Sequence, residues 1–529
     1  MDGEDEVPKD RQFHAMLPPS LRALVAAIAA VALTSGTVLA VDGNDALLNL
    51  LVRKGVLSQQ DVADLKRELA ASGPAQPVSV ISAPAAQTGA PSPAGAISAD
   101  AARCGLAFRI GVADFTPFGF VDFTSFYRSE ATGSGYPTAF TSIPFSNGAT
   151  GRMSETKFTA QNSRFGVRID SMVDDTNVLG YVETDFLGNA PSNLGVSSNS
   201  DTLRMRCYFA DLRSGPWEVL FGQGWNLLTP NRRGISPVPS DVFYTNNMDG
   251  SYQAGLTWGR QAQVRAVYHA GEGITLGLSV EDPDQYVGGA VLLPAAFQAS
   301  EVDTGASTAQ PNAFPDVTAK AAFDTTTVNS LPWHFEVAGL VRRFRTVTYS
   351  PASRSDTMAE GGGVSTAVCL GLAKGLTLVG TGFWSDGGGR YIGGLAPDFV
   401  VKAPDSAGAY GIGLVKATSA IIGLEYVAGP SDTVSAYRSN VGIGQRYDTM
   451  PGGGYVGYGY PGSPSTNTRT IDEYTLSNTY TLWRNPGYGA LQLIAQLSYA
   501  QRTPWYVAPD APAKADVRIA FLDLRYVLP

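Results

Sequence analysis

Apolar and polar residues alternate along most of this chain, from about Leu106 to its end. A β-strand places successive side chains on opposite faces, so a period of two predicts strands with one apolar and one polar face. The clearest segments are GFVDFTSFY, SRFGVRID, LGYVETDF, LRMRCYFADLR, WEVLFGQ, AQVRAVY, WHFEVAGLVR, YTLSNTYTLW and LQLIAQLSY. Their recurrence predicts an all-β chain of antiparallel strands.

The segment LRMRCYFADLR, residues 203–213, shows what the two faces contain. Alternation predicts that Arg204 and Arg206 lie on one face. The other face then holds four apolar residues: Leu203, Met205, Cys207 and Phe209. Across the segments the apolar face mixes aromatic residues with small ones, and the opposite face carries arginine, carboxylate, Thr and Gln. This pattern is typical of a lipid-facing wall around a wet lumen, and it favours a transmembrane β-barrel over a soluble secreted all-β protein.

The connections between the segments are of unequal length. Trp258–Gln261 and Asn485–Gly487 have the composition of tight turns. Residues 439–469, by contrast, form a long connection rich in Gly and Tyr. Short turns at one end and long loops at the other are characteristic of outer-membrane barrels, as are aromatic residues at the ends of strands.

Charged residues on the polar faces are the candidate pore lining. Opposite walls of opposite charge would set up a field that orients solutes in a channel. The alternative, weighted equally for each residue, is that these charges pair and hold the wall rigid. The predicted pore-lining residues are Arg164, Arg168, Arg204, Arg206, Arg265, Arg342, Asp122, Glu183 and Asp185.

SRFGVRID and LGYVETDF are predicted to form one hairpin. Closing it symmetrically pairs Asp170 with Leu179 and therefore Arg164 with Asp185. This register keeps the charges of both arms on the inner face, which a slip of one residue would not. In a hydrated lumen, an Arg164–Asp185 ion pair is expected to contribute little to stability, about 0–1 kcal/mol.

The first 104 residues have a different character. Residues 1–40 resemble a signal peptide cleaved between Ala40 and Val41, with a transmembrane anchor as the alternative. Residues 41–70 predict a periplasmic helical, coiled-coil-like segment, and residues 71–104 an Ala/Pro/Ser-rich linker. The β-barrel is then predicted over residues 105–529. The helices would be more stable where several copies meet, and a hairpin packed on its own chain is the alternative.

Composition narrows the function classes further. Removing residues 1–40, which carry three Lys/Arg and five Asp/Glu, leaves 35 against 42, a net charge of about −7. No basic stripe dominates, which argues against a nucleic-acid partner. Three cysteines without a CxxC pair favour neither a disulfide scaffold nor a zinc site, and no cofactor or metal is predicted.

Several motifs, in order, are similar to those of DcaP-like and phosphate-selective outer-membrane porins. They are ALLNLLVRKGVLSQQDVADLKREL, then TAQNSRFGVRID, VETDFLG, LRMRCYFADLR, VLFGQGWN, LSVEDP and FPDVTAKAAFD, within residues 45–345. The resemblance implies a sixteen-stranded, homotrimeric porin in outer-membrane lipid, through which small hydrophilic solutes diffuse. Two features depart from the family pattern: the sequence does not end on the Phe usual in outer-membrane proteins, and it lacks a dense lysine cluster. Because of the second departure, phosphate specificity is not carried over.

Two other classes of function stay open. An outer-membrane hydrolase needs a nucleophile activated by a base, and the chain has no GxSxG motif. His334 with Glu336 is the one candidate for a base, although a lumen or interface histidine is the simpler interpretation. A surface-binding or adhesive barrel would use the long loop at residues 439–469. A porin without enzymatic activity, through which small hydrophilic solutes, anions among them, diffuse passively, is the preferred prediction.

Overall fold

A computed structural model of the chain describes residues 107–188, 202–243, 245–305, 310–327, 329–350 and 353–529. The predicted signal peptide, helical segment and linker lie outside the described residues, as does the predicted cleavage site at Ala40 and Val41. Among the described residues, no helix is long and apolar enough to cross a membrane.

The described part of the chain consists almost entirely of β-strands. In chain order they are β1 (Phe108–Ile110), β2 (Ala113–Arg128), β3 (Glu155–Thr159), β4 (Arg164–Val173), β5 (Thr176–Gly188), β6 (Thr202–Ser214), β7 (Trp217–Trp225), β8 (Arg260–Gly271), β9 (Ile274–Glu281), β10 (Asp316–Thr326), β11 (Pro332–Ser350), β12 (Ser353–Ala373), β13 (Leu376–Asp386), β14 (Phe399–Pro404), β15 (Tyr410–Leu414), β16 (Lys416–Val427), β17 (Asp432–Ile443), β18 (Arg446–Thr449), β19 (Tyr455–Tyr458), β20 (Thr468–Asn485), β21 (Gly489–Pro504) and β22 (Ala515–Val527). Short 3-10 turns lie at Phe140–Ser142, Thr150–Arg152, Ala299–Glu301 and Gly389–Tyr391.

Sixteen of these strands form one closed antiparallel barrel, which confirms the predicted fold. Each barrel strand pairs with the next barrel strand along the chain, and β2 pairs with both β4 and β22 to close the ring. The other six strands are accessory. β1 and β3 pair with β2, while β14 with β15 and β18 with β19 form small separate hairpins in the long connections.

The connections alternate between short and long around the barrel. Two residues link β4 to β5, β6 to β7 and β8 to β9, and left-handed backbone at Asp174 (φ 50°) and Gly215 (φ 56°) closes two of these turns. At the opposite end the chain makes long excursions, such as 226–259 and 282–315. The predicted turn at Asn485–Gly487 is confirmed. The tight turn predicted at Trp258–Gln261 is wrong, because these residues contain the end of the long excursion 226–259 and the start of β8.

The barrel has the polarity of a membrane protein, apolar outside and polar inside. β9 illustrates this arrangement: Ile274, Leu276, Leu278 and Val280 are exposed, whereas the intervening Thr275, Ser279 and Glu281 are buried. A soluble barrel would bury the first set and expose the second. The alternation seen in the sequence therefore corresponds to an outer wall that fits lipid and an inner wall that fits water and charge.

Candidate pore constriction

The long excursion between β7 and β8, residues 226–259, folds into the barrel. We call it the lumen strap. Its backbone N–H groups donate to side chains on distant strands: Asn246 to Tyr437 Oη (2.9 Å), Met248 to Gln496 Oε1 (2.5 Å) and Ala254 to Glu473 Oε2 (2.7 Å). These acceptors belong to β17, β21 and β20, far from the strap's own strands around the ring. The strap therefore crosses the lumen and is fixed to the far wall.

An ion pair and an apolar cluster fix two further points of the strap to the wall. Arg232 donates to both carboxylate oxygens of Glu425 on β16, at 2.8 and 3.0 Å. Phe243 of the strap belongs to a buried cluster that includes Phe209 on β6 and Ile421 on β16. Since these two strands are separated by many others around the ring, the strap fills space between facing walls and narrows the lumen.

Buried polar residues of β10 and β11 hold the beginning of the strap. Lys320 donates to Asn231 Oδ1 at 2.9 Å and lies 2.9 Å from Glu336, which accepts from the Asn231 backbone N–H at 3.0 Å. His334, one candidate for an enzymatic base, has its ring nitrogens 2.9 Å from Asp324 and 3.1 Å from Glu336. Because carboxylates engage both nitrogens, neither is directed at a substrate, and the imidazole is part of the anchor.

The predicted hairpin register between β4 and β5 is confirmed. Arg164 lies opposite Asp185, and Asp170 lies opposite Leu179. The predicted ion pair, however, is not formed. The guanidinium of Arg164 approaches Glu183 at 3.9 Å, whereas Asp185 is held by two arginines of the next strand, β6. The residues of one hairpin are enough to predict its register, but they do not show that arginines of the neighbouring strand β6 compete with Arg164 for Asp185.

The charged side chains of β5 and β6 form a compact cluster. Asp185 accepts from Arg204 Nε and Nη2 at 3.0 and 2.7 Å and from Arg206 Nη1 at 2.7 Å. Arg206 also donates to Glu183 and, through Nη2, to Tyr252 of the strap at 3.3 Å. Asp185 and Arg206 are almost fully buried, while Arg204 is partly exposed. Arg206 thus joins the barrel wall to the strap.

The predicted outward face of β6 is correct for Leu203 and Met205 but wrong for Cys207 and Phe209. The first two are exposed, whereas the last two are buried. The cause is a β-bulge: Met205 pairs with Thr184 and Cys207 pairs with Glu183, which leaves Arg206 as an extra residue. One extra residue reverses the alternation beyond it. Arg206 and Cys207 consequently both point inward.

Aromatic rings and a further arginine lie beside this cluster. Trp225, Tyr252 and Trp258 contact one another, with ring centroids 5.4 to 6.2 Å apart. Arg260 lies over Trp225 (5.0 Å) and Trp258 (5.4 Å), and its buried Nη1 has no hydrogen-bond partner among the described residues. Burial alone would raise the pKa of Tyr252, but Arg206, Arg260 and Arg164 outweigh it and lower that pKa to about 8.

Two cavities adjoin the strap. One, of about 200 Å³, is lined by Trp258, Gly259, Arg260, Gln261, Arg390, Tyr391 and Gly393. A second, of about 170 Å³, shares Trp258 and Gly393 with the first and extends along strap residues 251–256 to Thr138–Thr141. The lining of the first contains two arginines and no carboxylate. Within the described part of the chain, Nη1 of Arg390 and Nη1 of Arg260 are buried without a hydrogen bond, and Nη1 of Arg390 lies 3.9 Å from the carboxylate of Asp284.

The other predicted lining residues occupy separate stretches of the inner wall. Asp122 is buried and accepts from Arg525 at 2.7 Å, and Arg342 is buried between Asp316 (2.9 Å) and Asp398 (2.6 Å). Arg168 pairs with Asp170 at 2.8 Å in a partly exposed position. Arg265 is buried with Nη2 3.9 Å from Glu218, and its Nε and Nη2 have no hydrogen bond to any residue that the structure describes. Pairing within the wall, the alternative left open by the sequence, describes Asp122 and Arg342 well.

Alternation does not identify the residues that contact or adjoin the strap. It places Arg260 in a tight turn and does not mark Glu425, Lys320 or Arg390 as pore-lining residues. The available signal was the length of residues 226–259 together with their lack of alternation: a segment of that kind, with many apolar residues, needs a packing partner. The inside of the barrel provides one.

No protein-family model and no curated protein sequence matches the chain. Among solved structures, it is similar to the outer-membrane channel DcaP of Acinetobacter baumannii, with a TM-score of 0.56 and 17% identity over 80% of this chain and 99% of that one. An anion-selective porin from Comamonas acidovorans aligns with a TM-score of 0.43 and 12% identity, over 79% of this chain and 100% of that one. The first match shows that this chain has the fold of the DcaP channel.

Proposed function

We propose that the protein is an outer-membrane porin through which small hydrophilic solutes diffuse passively. The observation that carries this proposal is the inverted polarity of the barrel, with a charged interior and an apolar exterior. An interior of this kind is unfavourable unless it is hydrated, and an exterior of this kind is unfavourable unless lipid covers it. The strap supports the proposal, because a constriction with fixed charges gives a wide barrel its selectivity.

The lining of the channel would include the nine residues named from the sequence, together with Arg260 and Arg390. The nine are Arg164, Arg168, Arg204, Arg206, Arg265, Arg342, Asp122, Glu183 and Asp185. Those that are fully paired, such as Asp122 and Arg342, would mainly keep the wall rigid. Those with unbonded guanidinium nitrogens, such as Arg260, would meet the solute.

We further propose that the channel favours anions. The support is the cavity beside the strap, whose lining has Arg260 and Arg390 but no carboxylate. A guanidinium stays charged at any working pH, so both arginines carry a positive charge in this cavity. An anion there would meet Nη1 of Arg260, which has no hydrogen bond among the described residues, whereas Nη1 of Arg390 already lies 3.9 Å from the carboxylate of Asp284.

The outer membrane is the proposed location, and a homotrimer is the proposed assembly. Exposed apolar residues on most strands of the wall support the first proposal. The second rests on the family resemblance alone, and native mass measurement of the protein in detergent would test it. A monomer under conditions that preserve the folded barrel would contradict it.

Planar-bilayer recording tests the function directly. We expect ohmic channels whose reversal potential in a KCl gradient reports anion preference, and Arg260→Ala should move that potential toward cations. Arg343→Ala is the matched control, because it removes the same charge from an exposed pair with Glu360 on the long β11–β12 hairpin. Absence of any conductance would favour the surface-binding alternative. Equal shifts in both variants would contradict the role of Arg260.

A further inference from the structure

A glutamine on the outer surface of the barrel stands out from its surroundings. Gln223 follows Phe221 on β7 with one residue between them, and Phe221 is half exposed on the apolar outer wall. The backbone of the intervening Gly222 is distorted (φ 125°), but Phe221 and Gln223 pair with Val264 and Ala262 of β8, which are both exposed on the outer wall, so the two side chains share that face. A primary amide in a lipid-facing wall is unfavourable unless its hydrogen bonds are satisfied within the protein. The partners of Gln223 therefore indicate what it does.

The amide of Gln223 is bonded to the β-bulge of β6. Nε2 donates to the carbonyl oxygens of Met205 and Arg206, each at 3.1 Å. These two carbonyls cannot join a ladder with β7, since the β6–β7 pairing ends at Tyr208 and Gln223. The side chain and the bulge thus satisfy each other's polar groups at a point where the backbone ladder has stopped.

The bulge in turn decides where Arg206 points. Residues 208–213 of β6 are paired on both sides, with β5 and with β7, and their register is fixed. In residues 202–206 the ladder pairs are with β5 alone, through Thr202, Arg204 and Met205, so this is the part that would slip if the bulge were lost. A slip of one residue would turn Met205 inward and Arg206 outward. Only with the bulge in place do Arg204 and Arg206 both reach Asp185.

We propose that Gln223 is a positioning residue for the selectivity of the channel: from the outer surface it holds the β6 bulge that keeps Arg206 in the lumen. The inference rests on the proposed porin function, because selectivity is what it would alter. Arg206 binds Glu183, Asp185 and the strap residue Tyr252, so loss of its position would change the wall and the strap together.

The experiment compares Gln223→Leu with Arg206→Ala and with the double variant in planar bilayers. We expect Gln223→Leu to shift the reversal potential in the same direction as Arg206→Ala, and the shift of the double variant to be smaller than the sum of the two single shifts, because only the displacement of Arg204 and Met205 remains to be added. Phe221→Leu, an apolar change on the same face, is the control and should match the wild type. A wild-type reversal potential in Gln223→Leu, or a shift that adds in full to that of Arg206→Ala, would overturn the proposal.

A second measurement does not depend on conductance. A spin label at position 205 should contact a lipid-soluble quencher in the wild-type background and a water-soluble quencher in Gln223→Leu. Unchanged accessibility in Gln223→Leu would overturn the proposal even if the reversal potential moved. If the wild-type barrel does not conduct but the label changes as expected, the porin function fails while the role of Gln223 in holding the bulge stands.

Discussion

Replacing Asp185 with Asn tests the charge cluster beneath the strap. The substitution preserves the shape of the side chain and removes one negative charge from a cluster of two carboxylates and three arginines. One amide oxygen then remains to accept from Arg204 and Arg206, which together make three hydrogen bonds to the carboxylate. Because Arg206 and Asp185 are both buried, the arginine is left partly uncompensated in a site that water reaches poorly.

The magnitude follows from that burial. Breaking a buried ion pair destabilises a protein by about 3–5 kcal/mol, and the remaining amide hydrogen bond and the exposure of Arg204 reduce this to about 2–4 kcal/mol. The sequence-based expectation of about 0–1 kcal/mol assumed a hydrated pair, which the packing around Arg206 contradicts. The loss of one negative charge should also move the reversal potential toward anions.

Asp170→Asn is the matched control for this test. Asp170 accepts two hydrogen bonds from Arg168 at 2.8 Å, the same kind of pair, but both side chains are about one-third exposed or more. It should therefore cost only about 0–1 kcal/mol. Urea unfolding in lipid or detergent gives the stabilities, and bilayer recording gives the selectivity. If the two variants lose the same stability and shift the reversal potential equally, burial does not decide the strength of these pairs.

Three further predictions concern the wall, the strap and the assembly. Spin labels at positions 205 and 207 should differ, with a lipid-soluble quencher reaching only the first, and equal access would contradict the bulge. Glu425→Gln should release Arg232 and loosen the strap, which we expect to see as larger and noisier single-channel currents, whereas Glu360→Gln, in an exposed pair with Arg343, should leave them unchanged. Deleting residues 45–70 should weaken the trimer but leave the barrel folded, and native mass spectra in which oligomeric state does not depend on the deletion would contradict a role in assembly.

Alternation predicted the barrel because it is a local property repeated along the chain. Each strand needs only its own residues to show two faces, and the register of β4 with β5 follows from one hairpin whose charges must share a side. The observed contacts differ from the predicted ones where a third strand takes part. Asp185 is opposite Arg164 in the hairpin, yet two arginines of β6 reach it with better geometry, and nothing within residues 164–185 contains that information.

The bulge and the strap show a different limit. A bulge changes the phase of a strand without changing its composition, so Cys207 and Phe209 look like lipid-facing residues until their partners across the ladder are known. The length and apolar content of the strap indicate that it packs against other residues, but only the closed barrel shows that those residues lie on its inner wall. Both features meet at Arg206, which the bulge turns inward and which Tyr252 of the strap then contacts. The position of Arg206 is thus set by two long-range contacts, and only its charge and its place in the strand can be read from the sequence.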